Sequence, residues 1–243
     1  MKQRTHNTLS ALWFLLCLWT VPAFASSLQI PQTTLYPYQS TVELQEEFIT
    51  GTNATGLIGS LGWSTSNGTV SVASTTNAPG YTRRDTSAAA GTITATFHNN
   101  SASLVDPALN HSVLWRLRIV TNDNATTVRA GEAGPVTTNP PTGGIYFERL
   151  NTDTNWFCVT RSAGVQTRTD STIATTGNFV DLGYTRNSTG VVWTIDGVAV
   201  CGTSTANIPT AFNLAFTQVI NTGGVAKQLD HDYFQIRITG LVR

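Results

Sequence analysis

Apolar and polar residues alternate along most of this chain. In residues 114–119 (LWRLRI), Trp115, Leu117 and Ile119 fall on one side and Arg116 and Arg118 on the other. That period of two is the mark of a half-buried β-strand. Residues 92–97 (TITATF), 144–150 (GIYFERL), 155–160 (NWFCVT), 165–169 (VQTRT), 179–185, 191–195 (VVWTI), 198–201 (VAVC), 212–220 and 233–238 follow the same pattern or are rich in β-branched and aromatic residues. Turn formers separate them. Asn151 to Thr154 predicts a hairpin, Arg186 to Gly190 a turn, and Asp196-Gly197 a two-residue hairpin. No window beyond the N-terminal segment carries a capped apolar stripe at helical spacing. About 12 strands spaced 8 to 15 residues apart predict an all-β sandwich or barrel. The Gly- and Pro-rich stretch 133–144 reads as a long loop within one domain.

The N-terminus has a different pattern. Lys2 and Arg4 precede a short apolar run at residues 11–19, and Ala23-Phe24-Ala25 supplies a small-x-small motif. These are the three parts of a secretory signal peptide, residues 1–25, with cleavage expected after Ala25. The run falls short of the roughly 20 residues that span a bilayer. No second apolar segment of that length follows, so the mature chain is expected to carry no transmembrane segment. The domain is then residues 26–243, and the protein is expected to be secreted, extracellular or in the cell envelope.

Composition supports export. Charged residues are 12% of the chain, and Lys+Arg and Asp+Glu number 14 each. Removal of Lys2 and Arg4 leaves 12 basic and 14 acidic residues, a net charge of −2. With no basic patch, nucleic acid is not expected as a partner. Cys17 is lost with the leader, leaving Cys158 and Cys201 as an expected disulfide, with two buried thiols as the alternative. Six sequons, at Asn53, Asn67, Asn99, Asn110, Asn124 and Asn187, carry no weight without knowledge of the host.

The order GIYFERL, NWFCVTR, GVQTRTDST, VVWTIDGVAV and LDHDYFQIRI resembles the concanavalin A-like jelly-roll superfamily, which includes laminin-G-like, pentraxin-like and glucanase-like domains. Within it the chain is similar to uncharacterised modules of phage virion and bacterial surface proteins. Weaker matches extend to Glu47-Phe48 and residues 58–63. The resemblance implies a single sandwich of two antiparallel sheets. It does not imply an activity, because one fold hosts many functions.

The chemistry search is largely negative. The Glu-x-Asp-x-x-Glu strand of glucanases of this fold is absent, as is the Gln-x-His strand of its lyases. No Gly-x-Ser-x-Gly elbow occurs, and His98, His111 and His231 show no zinc spacing. Glycoside hydrolysis needs two carboxylates about 5 to 10 Å apart. Glu46 and Glu47 are adjacent and face opposite ways on a strand. Asp230 and Asp232 share a face, and Glu148 stands alone. Asp230 and Asp232 are a candidate Ca²⁺ site if a third oxygen, from Asp123 or Asp106, joins them. Trp115, Trp156 and Trp193 are expected in the core. Trp63 opens a polar stretch and, with Tyr81, Arg83 and Arg84, forms the candidate ligand site, although a core position for Trp63 is favoured. The leading expectation is a non-catalytic module that binds a glycan or cell-surface polymer. The alternatives are a structural protein that self-associates as a homo-oligomer, and a glycan-cleaving hydrolase or lyase.

Overall fold

The computed structural model describes residues 41–48, 61–75, 78–98, 105–211 and 213–240. The leader with its cleavage position, the sequons at Asn53 and Asn99, and residues 58–60 lie outside them. Fifteen strands and no helix occur among the described residues. In chain order they are β1 Thr41–Glu47, β2 Trp63–Ser66, β3 Thr69–Thr75, β4 Ala78–Asp85, β5 Ile93–His98, β6 Asn110–Ile119, β7 Thr126–Gly134 and β8 Gly143–Arg149. They continue as β9 Asn155–Ser162, β10 Val165–Ala174, β11 Val180–Asn187, β12 Gly190–Ile195, β13 Val198–Ser204, β14 Leu214–Asn221 and β15 Gln228–Thr239.

The strands form two antiparallel sheets. Sheet A has the order β13-β12-β11-β6-β15-β4-β3, with β1 also paired to β15. Sheet B has the order β10-β9-β8-β7-β14-β5-β2. The long strand β15 serves two neighbours in succession: its first part pairs with β4 and its second with β1. The two sheets enclose one core, as the alternation predicts. Trp63, Trp115 and Phe234 meet there with ring centroids 4.6 to 5.3 Å apart, and Phe147 packs edge-on against Trp193 at 5.1 Å.

Local turn chemistry holds where it was legible. β12 and β13 meet at Asp196 and Gly197, both at positive φ (48° and 77°), which a type I′ hairpin requires. At the β11–β12 turn, the Asn187 side chain accepts from the backbone N–H groups of Thr189 and Gly190. The extra strands lie where composition hides them. β1 (TVELQEE) is Glu-rich, and β2 and β3 are Thr/Ser-rich. β7 (TTVRAGEAG) carries Arg, Glu and Gly, yet it is buried on both faces.

Candidate functional site

The alternation in β6 turns Arg116 and Arg118 to the outer face of sheet A. Register then decides their company. Asp230 on β15 pairs with Arg118 on β6 and with Arg83 on β4, so one carboxylate lies between two guanidiniums in a row across three strands. Arg83 donates from Nε to Asp230 Oδ1 at 2.8 Å and from Nη2 to Oδ2 at 3.0 Å. Arg118 donates to Oδ2 from Nε at 3.0 Å and from Nη2 at 2.5 Å. The carboxylate is wholly buried, while the Arg83 and Arg118 side chains keep 25% and 23% exposure. Asp230 holds the Arg83 guanidinium above its usual pKa through the hydrogen bond, and it does the same for Arg118 against the opposing cost of burial.

The row extends along the sheet. A register shift between His231 and Tyr233 makes Asp232 the extra residue of a bulge. Arg116 donates from Nε to Asp232 at 2.9 Å and from Nη1 to Asp181 at 3.1 Å. Two aromatic rings flank the arginines. The Arg118 guanidinium lies 5.2 Å from the Tyr81 ring and 4.8 Å from Phe179, and Arg116 lies 5.8 Å from Phe179. Tyr81 and Phe179 themselves meet edge-on at 5.7 Å.

The sequence-derived ligand residues therefore separate. Tyr81 and Arg83 belong to this outer row. Trp63 is completely buried against Phe48, Trp115 and Phe234; its large ring gains more between the sheets than it would in a polar loop. Arg84, one position after Arg83, points the opposite way, into the interior, and is 1% exposed. Arg116, Arg118 and Phe179 were not singled out, although the alternation had already set the two arginines on one face.

The expected calcium pair is differently employed. Both oxygens of Asp230 accept from arginine, and Asp232 faces Arg116. Asp123 pairs with Lys227, and Asp106 accepts from the Ala108 N–H. Among the described residues no group of three His, Cys, Asp or Glu is placed to hold a metal ion. Cys158 on β9 and Cys201 on β13 form a disulfide that ties sheet B to sheet A.

A second arginine–carboxylate row crosses the outer face of sheet B. Glu148 accepts from Arg129 Nε and Arg168 Nε, both at 2.7 Å, and Arg168 also pairs with Asp153. The loop 135–142 folds over this face. Gln218 donates to the carbonyls of Val136 and Thr138, and Arg129 donates to the Asn139 side chain. Beneath the loop, Val136, Ala133, Tyr146, Val159 and Phe216 make a small second core.

Two further ionisable groups sit between the sheets. His111 approaches Glu132 to 3.1 Å, off the line of a good hydrogen bond. Burial opposes charge on His111, but Glu132 outweighs it and raises the pKa, with help from the Leu109 carbonyl. Of the other carboxylates considered for catalysis, Glu46 is buried and accepts from the Leu61 N–H, and Glu47 faces solvent.

No family model and no curated protein matches the sequence. Solved structures match its fold. A protein of unknown function from Shewanella oneidensis MR-1 aligns with a TM-score of 0.65 at 14% identity, over 85% of this chain and 91% of that one. The Bacillus licheniformis β-glucanase aligns at 0.54 with 14% identity, over 82% and 98%. The carbohydrate recognition domain of Emp47p aligns at 0.55 with 10% identity, over 83% and 96%. The chain has the concanavalin A-like jelly-roll fold, as its strand order implied.

Proposed function

We propose that this is an exported glycan-binding sandwich, with its leader removed after Ala25 and its binding surface on the outer face of sheet A. One observation carries the reading. Three partly exposed arginines stand in fixed positions, Arg116 and Arg118 beside Phe179 and Arg83 beside Tyr81, and each keeps N–H donors that its carboxylate does not use. Sugar hydroxyls both donate and accept, so they suit a surface where guanidinium and carboxylate groups alternate. Ordered donors lose little entropy on binding. Sugar-directed names on two structures of this fold support a glycan as the ligand class. A catalytic reading draws no support from Asp230 or Glu148, whose oxygens are occupied by arginines.

The test is a glycan and polysaccharide array probed with residues 26–243, with Ca²⁺ and with chelator. Specific binding that Arg116→Ala and Phe179→Ala abolish would support the reading. Binding unaffected by both would move the surface elsewhere. No binding at all, with the protein running as a defined oligomer, would favour self-association. A specific observation supports that second reading. The edge strand β13 carries no charged side chain, and Val198 on it is 62% exposed.

A further inference from the structure

Arg84 is 1% exposed, and among the described residues no group accepts from any of its three guanidinium nitrogens. Burial alone pushes its pKa down to about 9. An unpaired buried charge costs several kcal/mol, so a native sandwich is expected to supply a counter-charge. No Asp or Glu side chain supplies one. All 14 Asp and Glu residues lie within the described residues. Those nearest in sequence and register are turned away: Asp85 accepts from Gln228, and Asp230 is on the outer face with Arg83 and Arg118.

The surroundings of Arg84 are polar in a particular way. On sheet A, its inward neighbour His231 bonds Thr217 of sheet B through Nε2 at 2.6 Å, leaving Nδ1 without a partner. Burial, with the charge of Arg84 adding to it, lowers the His231 pKa to about 3, so the ring is neutral and adds no charge. On sheet B, Thr217 pairs with Thr96, and Thr94 is the next residue of β5 on that same inner face. Both hydroxyls are buried and unpartnered. Gly68 shows how closely Thr94 approaches β4. A Cβ there would stand 2.3 Å from the Asp85 carbonyl oxygen and 2.5 Å from Thr94 Oγ1. One buried cation and two free hydroxyls thus share a layer between β4 and β5.

We propose that Arg84, Thr94 and Thr96 form a buried site for one small monovalent anion of the chloride class. Monovalency follows from charge balance: one guanidinium beside a neutral imidazole is neutralised by a single negative charge, whereas a divalent oxyanion would leave a net charge in the interior. Smallness follows from the position between packed sheets, away from the outer faces where a polymer could lie.

The exported chain is to be unfolded thermally at constant ionic strength, with chloride exchanged for the bulky anion gluconate. Binding to the folded state alone raises Tm by about 3–5 °C for each tenfold rise in chloride above half-saturation. Arg84→Met should abolish that dependence while leaving background salt effects in place. Crystals of the unsubstituted protein soaked in bromide should show an anomalous peak beside the Arg84 guanidinium, a readout that needs no variant to fold. Equal Tm in chloride and gluconate, a dependence that survives in Arg84→Met, or bromide found only at surface arginines would each overturn the proposal.

Discussion

The two outer faces of this sandwich carry the same motif with opposite consequences. On sheet B, Glu148 is held between Arg129 and Arg168 with side-chain exposures of 3%, 3% and 20%. On sheet A, Asp230 is held between Arg83 and Arg118, and the two arginines remain about a quarter exposed. The difference is a roof. The loop 135–142 spends the spare polar groups of sheet B on its own backbone, through Gln218 and Arg129. Among the described residues nothing comparable covers the sheet A row, so its unused donors face water. A roofed arginine–carboxylate row is therefore a staple, whereas the open one keeps donors available for the proposed ligand.

The comparison can be broken first through the element common to both faces. The Cys158–Cys201 bond closes a loop of sequence separation 43 and joins the sheets. Cys201→Ser with Cys158→Ser should lower unfolding free energy by about 4 kcal/mol in denaturant titration, with glycan binding retained below the new transition. Loss of binding without loss of stability would show that the open face depends on the disulfide.

Glu148→Gln comes next. It strands Arg129 under the loop, and a cost of about 3 kcal/mol is expected. The matched change on the other face, Asp230→Asn, should cost less, about 1–2 kcal/mol, because water reaches and screens its quarter-exposed arginine partners. Equal costs from the two would remove the distinction between staple and surface.

Acid sharpens the contrast from within. The folded pKa of His231 lies near 3, below its unfolded value of about 6.5, so the unfolded state binds the proton more readily. Stability is present above about pH 6.5 and falls as pH drops towards about 3, by at most about 1.4 kcal/mol per pH unit for one group. His111 has the opposite sign. Its raised pKa gives stability that is full below about pH 6.5 and lost as pH rises through the folded value. Urea midpoints across pH should show His231→Gln flattening the acid limb and His111→Gln flattening the limb above neutrality.

The smallest stability effect belongs to the proposed surface itself. Arg116 is 45% exposed, so Arg116→Ala should change stability by under about 0.5 kcal/mol while weakening glycan binding at least tenfold by titration calorimetry. A large loss of stability would identify it as structural.

Much of the fold was legible locally. Alternation in residues 114–119 set the inner and outer sides of β6, and the Asp196-Gly197 pair set a hairpin, because both signals are complete within a few residues. β7 was not legible. Its Arg129 and Glu132 suit the interior only because Glu148, Gln218, His111 and Asn213 meet them from distant parts of the chain. Tyr81 and Arg83 were found for the candidate site, whereas Trp63 and Arg84 point inward. One step along a strand reverses a side chain, so the adjacent pair Arg83-Arg84 cannot share a face once β4 is a strand.

The sequence by itself determined that this chain builds β-strands, roughly where they turn, and which residues alternate to the same side, since a period of two is a local property of the backbone. Only the tertiary structure decided that Asp230 serves two arginines instead of a cation. Among the described residues, it alone left Arg84 in the interior without an Asp or Glu partner, and it roofed one arginine row while leaving the other open. Those outcomes depend on register between strands more than a hundred residues apart and on where one loop comes to rest, and no local pattern of residues encodes either.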